Sequence, residues 1–225
     1  MTLLKCKRVL PAAAFAVFPV VFLVVFPIIF LAAAPAMAHH PFGGQAPGTI
    51  VEGLLSGVGH PVIGLDHLAF VIAVGLLAAV VKRGFTVPLA FLLSALVGTG
   101  LHLAEVTLPA PELVISLSVL VVGALVTAKR ALNTQIIVLL TALVGMFHGY
   151  AYGEAVVGAE PTTLVAYLIG FTVVQGAIAA VAYLLSKRAL NADKRVGNSA
   201  GLISVHHAGF AIFGAGAAFL GNLLV

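Results

Sequence analysis

Charged residues are scarce in this chain of 225 residues. Asp, Glu, Lys and Arg make up 8% of the sequence, whereas hydrophobic residues make up 62%. Water-soluble domains carry about 25% charged residues, so this composition excludes an ordinary soluble fold. Apolar runs of about twenty residues, each long enough to cross a bilayer, recur along the chain. The composition therefore predicts a polytopic membrane protein whose main partner is the lipid bilayer.

Cysteine is also nearly absent, because Cys6 in the basic N-terminal segment is the single example. The rest of the chain has neither a disulfide nor a thiolate ligand. Any metal site beyond this segment must therefore use nitrogen and oxygen atoms. A P-loop of the form GxxxxGK[ST] is missing as well, which excludes ATP hydrolysis by that route.

Positive charge is confined to four short clusters. These are Lys5, Lys7 and Arg8; Lys82 and Arg83; Lys129 and Arg130; and Lys187, Arg188, Lys194 and Arg195. Their places beside apolar segments indicate membrane topology, and we expect no nucleic-acid partner. Because Lys and Arg concentrate in cytoplasmic loops, we predict an inner-membrane protein whose mature N- and C-termini lie on the outer, periplasmic side.

Residues 1–38 have the layout of a secretory signal peptide. A basic start and an apolar stretch are followed by "APAMA", which has small residues at the spacing of a signal-peptidase site. The apolar stretch exceeds the usual length of about 7 to 15 residues. An uncleaved membrane anchor is therefore the alternative, and residues 39–225 form the predicted transmembrane domain in either case.

Six further apolar segments predict an all-α bundle of six membrane spans. They cover residues of about 50–81, 86–106, 111–128, 132–153, 162–186 and 200–224. The first segment is too long for one straight span, and Pro61 with Gly64 predicts a break within it. The pattern leaves open whether such units assemble into a homo-oligomer.

Titratable side chains lie inside these spans, where a charged group costs about 3 kcal/mol on insertion scales. The stretch "GHPVIGLDHLAF" at 59–70 carries His60, Asp66 and His67. The alternatives to a functional role are that His60 caps the half-helix at the membrane interface and that Asp66 and His67 form a purely structural hydrogen bond. Irregular backbone is tolerated in a membrane only where protein or a cavity surrounds it. The predicted break would let these three side chains converge.

Other spans carry matching groups near their outer ends. His102 and Glu105 are three residues apart, which predicts one helical face, although a solvated helix end is the alternative. His148 is followed by Glu154 at the end of the same span. Imidazole and carboxylate ligands suit nickel, cobalt or zinc and are poor for copper(I). The residues together predict a divalent-metal site.

A stripe of glycines also lies near His148. Gly145, Gly149 and Gly153 repeat every four residues, and small residues let membrane helices approach closely. We expect this stripe to bring His148 against the first helix.

Two motifs resemble a known family. "HPVIGLDH" at 60–67 resembles the signature of the HupE/UreJ family of nickel and cobalt permeases. "FHGYAYGE" at 147–154 resembles the family's second signature, with Tyr152 in place of a second histidine and Glu154 directly after Gly153.

The resemblance implies a permease that imports a nickel or cobalt ion as its substrate, without a prosthetic group and without enzymatic activity. It assigns His60, Asp66, His67 and His148 to the metal path, and Glu154 less directly. A metal-binding accessory protein is one alternative. A membrane-embedded metalloenzyme, with Glu105 or Glu154 as general base, is the other.

Overall fold

The computed structural model describes residues 46–128, 132–196 and 199–223. Within these ranges the ordered elements are helices and no residue lies in a β-strand, which confirms the predicted all-α class. The helices are α1 (Ile50–Ile63), α2 (Leu65–Val80), α3 (Thr86–Leu103), α4 (Pro111–Thr127), α5 (Thr134–Glu154), α6 (Pro161–Val196) and α7 (Ala200–Leu223). The predicted signal segment and the Lys129–Arg130 cluster lie outside the described residues.

Four of these helices, α3, α5, α6 and α7, are long and apolar enough to cross a membrane. Helices α1 and α2 qualify together as a bent pair, which makes up to 5 candidate spans among the described residues. Helix α4 is apolar but shorter, with 17 residues. The protein is therefore a helical membrane protein, and the number of six spans stays a prediction.

The predicted break in the first apolar segment is confirmed at Gly64. This residue has extended backbone angles and separates α1 from α2, whose axes differ by 79°. A Cβ atom at this position would lie 2.7 Å from Cδ2 of His67 and 3.2 Å from the carbonyl oxygen of His60. Only glycine fits this position without moving the histidine. Pro61 occupies the last turn of α1.

The broken pair runs parallel to α6, because its contacts advance in the same direction along both elements. Gly53 of α1 packs on the backbone of Thr163, and Gly75 of α2 packs on the backbone of Ala179. The loop after α2 and the basic C-terminal part of α6 therefore lie at the same end of the bundle. The start of α5 lies there too, because the Thr134 hydroxyl donates to the carbonyl of Lys82 at 3.0 Å.

The glycine stripe packs against α3. Gly145 lies against Phe91, Gly149 against Ala95 and Gly153 against His102. These contacts advance in the same direction along both helices, so α3 and α5 run parallel. The stripe itself therefore does not contact the first apolar segment, and that part of the expectation is wrong, but His148 does lie against this segment through His67 of α2. His148 lies on a different side of α5 and reaches α2 from there.

Helix α6 continues beyond the apolar segment predicted at 162–186. It ends at Val196, although its candidate span ends at Ala192. The extra residues include several charged and amide side chains. Hydropathy predicts where apolar sequence ends, whereas polar residues such as Lys and Arg also have high helix propensity.

We predict that Gly98→Ala destabilises the packing of α3 on α5. The new Cβ would lie 1.9 Å from the carbonyl oxygen of Met146, which is backbone and cannot rotate away. Overpacking of this kind costs about 1 to 3 kcal/mol. The measurement is the unfolding midpoint of the purified protein in detergent.

Gly100→Ala is the matched control, because Gly100 lies two residues further along α3 and faces open space. Alanine is favoured over glycine in a helix by about 1 kcal/mol, so the control should lose no stability. Equal midpoints for the two variants would contradict the close α3–α5 contact.

Candidate functional site

Three of the predicted histidines meet in the interior. His60, His67 and His148, together with Tyr152, form what we term the histidine cluster. Ring centroids lie 5.6 Å apart for His60 and His67, 5.0 Å for His67 and His148, and 4.5 Å for His67 and Tyr152. The four side chains are at most 5% exposed. Such a concentration of buried imidazoles is costly in an apolar bundle and needs internal hydrogen-bond partners.

The cluster lies at one depth on several helices. His148 is six residues before the end of α5, and Tyr167 and Ser118 are six and seven residues after the starts of α6 and α4. At about 1.5 Å per residue, each lies about 9 to 11 Å inside its helix end. The break at Gly64 lets α2 begin at this depth and so brings His67 there.

One hydrogen-bond chain connects α2, α5 and α4. Nδ1 of His67 lies 2.8 Å from Nδ1 of His148, and Nε2 of His148 lies 3.0 Å from the Ser118 hydroxyl. Ser118 donates its hydroxyl hydrogen to the carbonyl of Ile115 at 2.6 Å. Both ring nitrogens of His148 are therefore engaged by the protein.

A second series of hydrogen bonds connects α1, α5 and α6. The Tyr167 hydroxyl donates to the carbonyl of Tyr152 at 2.8 Å, and its oxygen lies 3.3 Å from Nδ1 of His60. The Tyr152 hydroxyl donates to Oε1 of Gln175 at 3.0 Å, and the Gln175 amide donates to the carbonyl of Phe171. Tyr152, Tyr167 and Gln175 are completely buried.

Asp66 lies next to the cluster at the start of α2. Its Oδ1 accepts the backbone N–H of His67 at 2.8 Å. A carboxylate in the first turn of a helix is also favoured by the helix dipole. The side chain is half-buried, so the carboxylate combines a low-dielectric setting with partial access.

The other predicted site residues stay outside the cluster. The ring of His102 packs on Tyr150 with centroids 4.5 Å apart. Helix α3 ends at Leu103, and Glu105 is exposed in a left-handed conformation with φ of 59°. The expected shared helical face for His102 and Glu105 is therefore wrong, because the helix ends between them. Glu154 is exposed at the end of α5.

Within the described ranges, no group of three His, Cys, Asp or Glu side chains is arranged to hold a metal ion. In this structure the imidazoles form hydrogen bonds with one another and with nearby hydroxyl groups. The cluster offers nitrogen ligands beside a carboxylate at a break in the backbone. Imidazole nitrogens and carboxylate oxygens are ligand types that suit borderline divalent cations.

Several residues of the site were missed by sequence reasoning. They are Ser118, Tyr167 and Gln175, which were not among the candidates, whereas Tyr152 was noted but was not a predicted metal ligand. A signal existed for Gln175, because it is the single amide in the apolar segment 162–186. Serine and tyrosine are ordinary within membrane helices, so the sequence offered no such signal for Ser118.

The fold and the buried polar cluster define a polytopic helical membrane protein. The family described as "HupE / UreJ protein" matches residues 27–219 of the chain. Protein HupE of Rhizobium leguminosarum bv. viciae is 32% identical over 145 residues, which cover 63% of this chain and 73% of the relative. The chain belongs to the HupE/UreJ family, as its motifs predicted. No solved structure matches it.

We predict that Tyr152→Phe lowers stability by about 1 to 3 kcal/mol, the cost of leaving a buried polar group unsatisfied. The phenylalanine keeps the ring contact with His67 but removes the donor to Gln175 Oε1. The measurement is the free energy of unfolding in detergent.

Tyr183→Phe serves as the control, because Tyr183 is a half-buried residue of α6 outside the histidine cluster, and its ring, 5.7 Å from Nζ of Lys187, is kept by phenylalanine. The free energy of unfolding of this control should be close to that of the wild type. An equally small loss for Tyr152→Phe would contradict the buried hydrogen bond.

Proposed function

We propose that this protein is a permease that moves a divalent transition metal, nickel or cobalt, across the inner membrane toward the cytoplasm. The carrying observation is the buried histidine cluster beside Asp66 at a backbone break within a membrane segment. Family membership supports the same proposal. Transport would be facilitated or coupled to an ion gradient.

The chemistry of the cluster suits this cargo. Imidazole nitrogens from His60 and His67 and the Asp66 carboxylate would replace part of the hydration shell of the ion. These ligands match nickel and cobalt better than a hard cation such as magnesium. Conduction also requires that binding stays weak enough for release. His148 would lie beside the same path, and its hydrogen bond with His67 supports this.

The break at Gly64 has a role in this proposal. Irregular backbone within a membrane occurs where it lines a cavity or a substrate path. Transporters often build their sites from half-helices that meet near the substrate. The α1–α2 junction would supply the flexible backbone at which the rings turn toward the ion.

We further propose six spans and outward-facing termini. Helix α4, with 17 residues, falls within the length of about 17 to 25 residues that crosses a bilayer. It would be the sixth span beside the bent pair and the four long helices. Residues 1–38 would be a signal peptide, and a homo-oligomer is compatible with this arrangement.

The predicted site residues outside the cluster would attract cations at the outer entrance of the proposed metal path. His102, Glu105 and Glu154 lie near the ends of α3 and α5 that we place on the outer side. Exposed carboxylates there would raise the local concentration of cations.

We predict that Asp66→Asn reduces nickel uptake by about tenfold or more, a loss typical of damaged metal sites. The amide keeps the size of the side chain but removes the charge that compensates the cation. The measurement is uptake of Ni²⁺ into sealed proteoliposomes that contain only this protein, with cobalt and zinc as competitors.

Glu160→Gln is the control, because Glu160 is an exposed carboxylate outside the cluster. It should keep uptake near the wild-type rate. Absence of uptake by folded wild-type protein would contradict the permease proposal. Binding without movement would then indicate an accessory metal-binding protein, and turnover of a substrate would indicate a metalloenzyme.

A further inference from the structure

Two hydroxyl groups determine how protons are placed on the buried histidines. Ser118 and Tyr167 each have one hydroxyl hydrogen, and each donates it to a backbone carbonyl, that of Ile115 at 2.6 Å and that of Tyr152 at 2.8 Å. A hydroxyl whose hydrogen is committed can only accept from another group. Both oxygens therefore accept from an imidazole N–H.

For His148 this assignment decides both nitrogens. Its Nε2 must carry the hydrogen that Ser118 accepts at 3.0 Å. In a neutral ring Nδ1 then has the lone pair, so it accepts from Nδ1 of His67 at 2.8 Å. The His67 ring consequently carries its hydrogen on Nδ1 and its lone pair on Nε2.

The surroundings of both rings agree with this assignment. His148 is 0% exposed, and Phe70 stacks on its face with centroids 4.2 Å apart. The Cδ2 atom of His67, which is bonded to Nε2, faces Gly64 on the side where Oδ1 of Asp66 also lies. The lone pair of His67 is thus at the edge of the ring nearer the backbone break and the carboxylate.

We propose that Ser118 and His148 are positioning residues that hold His67 in the tautomer whose Nε2 binds the metal, and that His148 itself is not a ligand. Tyr167 does the same for His60, since its oxygen accepts from Nδ1 of that ring. Histidine ligands in metal sites usually donate their second N–H to a fixed acceptor. Here the acceptor of His67 is a second histidine. This inference rests on the proposed metal transport.

The first test uses no metal. Nitrogen NMR of the purified protein with ¹⁵N-labelled histidine distinguishes a ring nitrogen with a hydrogen from one with a lone pair. We expect Nε2–H for His148 and Nδ1–H for His67, with the signals assigned through His148→Gln and His67→Asn. Ser118→Ala should redistribute the tautomers of both rings.

Ser116→Ala is the matched control, since Ser116 is buried on the same helix but lies about 200° away around its axis. It should leave the spectrum unchanged. An Nδ1–H signal for His148 in the wild type, or an unchanged spectrum in Ser118→Ala, would overturn the assignment. These spectra require no transport, so they test the tautomers of His67 and His148 even if the protein moves no nickel.

The second test measures Ni²⁺ affinity of the full chain by equilibrium dialysis. Ser118→Ala should weaken binding by about 10- to 100-fold, as for other residues that orient a ligand. Ser118→Thr, which keeps the hydroxyl, should restore most of the affinity.

His148 is tested by two replacements. Glutamine has an amide oxygen that can accept from His67, so His148→Gln should keep more affinity than His148→Ala. Equal losses in the two variants would identify His148 as a direct ligand and refute its positioning role. No nickel binding by folded wild type would count against the proposed function, while the tautomers would still be decided by the spectra.

Discussion

The hydrogen bond between Nδ1 of His67 and Nδ1 of His148 joins α2 to α5 in the interior of the bundle. Lipid offers no hydrogen-bond partner, so every polar group at this depth must be satisfied within the protein. The far side of His148 meets the same requirement, because its Nε2 lies 3.0 Å from the Ser118 hydroxyl. Three helices are thereby held in one relative position by a single short chain of donors and acceptors.

The break at Gly64 follows from the same constraint. A continuous helix would use the backbone N–H of His67 for a bond to the carbonyl four residues earlier, whereas the first N–H groups of a new helix have no such partner. With the break, Asp66 lies in the first turn of α2 and binds the backbone N–H of His67. The lack of a Cβ at Gly64 leaves the space that the His67 ring occupies. The backbone irregularity and the polar cluster are thus parts of one arrangement.

Helix packing decides which residues join the cluster. The glycine stripe of α5 faces α3, and the Thr99 hydroxyl adds a hydrogen bond of 2.8 Å to the carbonyl of Gly149. With that face of α5 occupied, His148 and Tyr152 point toward α2 and α6. His102 belongs to the α3–α5 contact, where it packs on Gly153 and Tyr150. The carboxylates Glu105 and Glu154 remain at the surface.

The sequence by itself determined the membrane class, the all-α fold, the break at Gly64 and the family, because hydropathy and the "HPVIGLDH" motif are properties of neighbouring residues. It also identified His60, His67 and His148 as unusual, since imidazoles are rare in apolar segments. Only the tertiary structure decided that these rings contact Tyr152, Ser118 and Tyr167. It also decided that α3 ends between His102 and Glu105, so that the two do not share a helical face. Those contacts join residues far apart in the chain, so they depend on which faces of the helices pack together, and no local pattern specifies that.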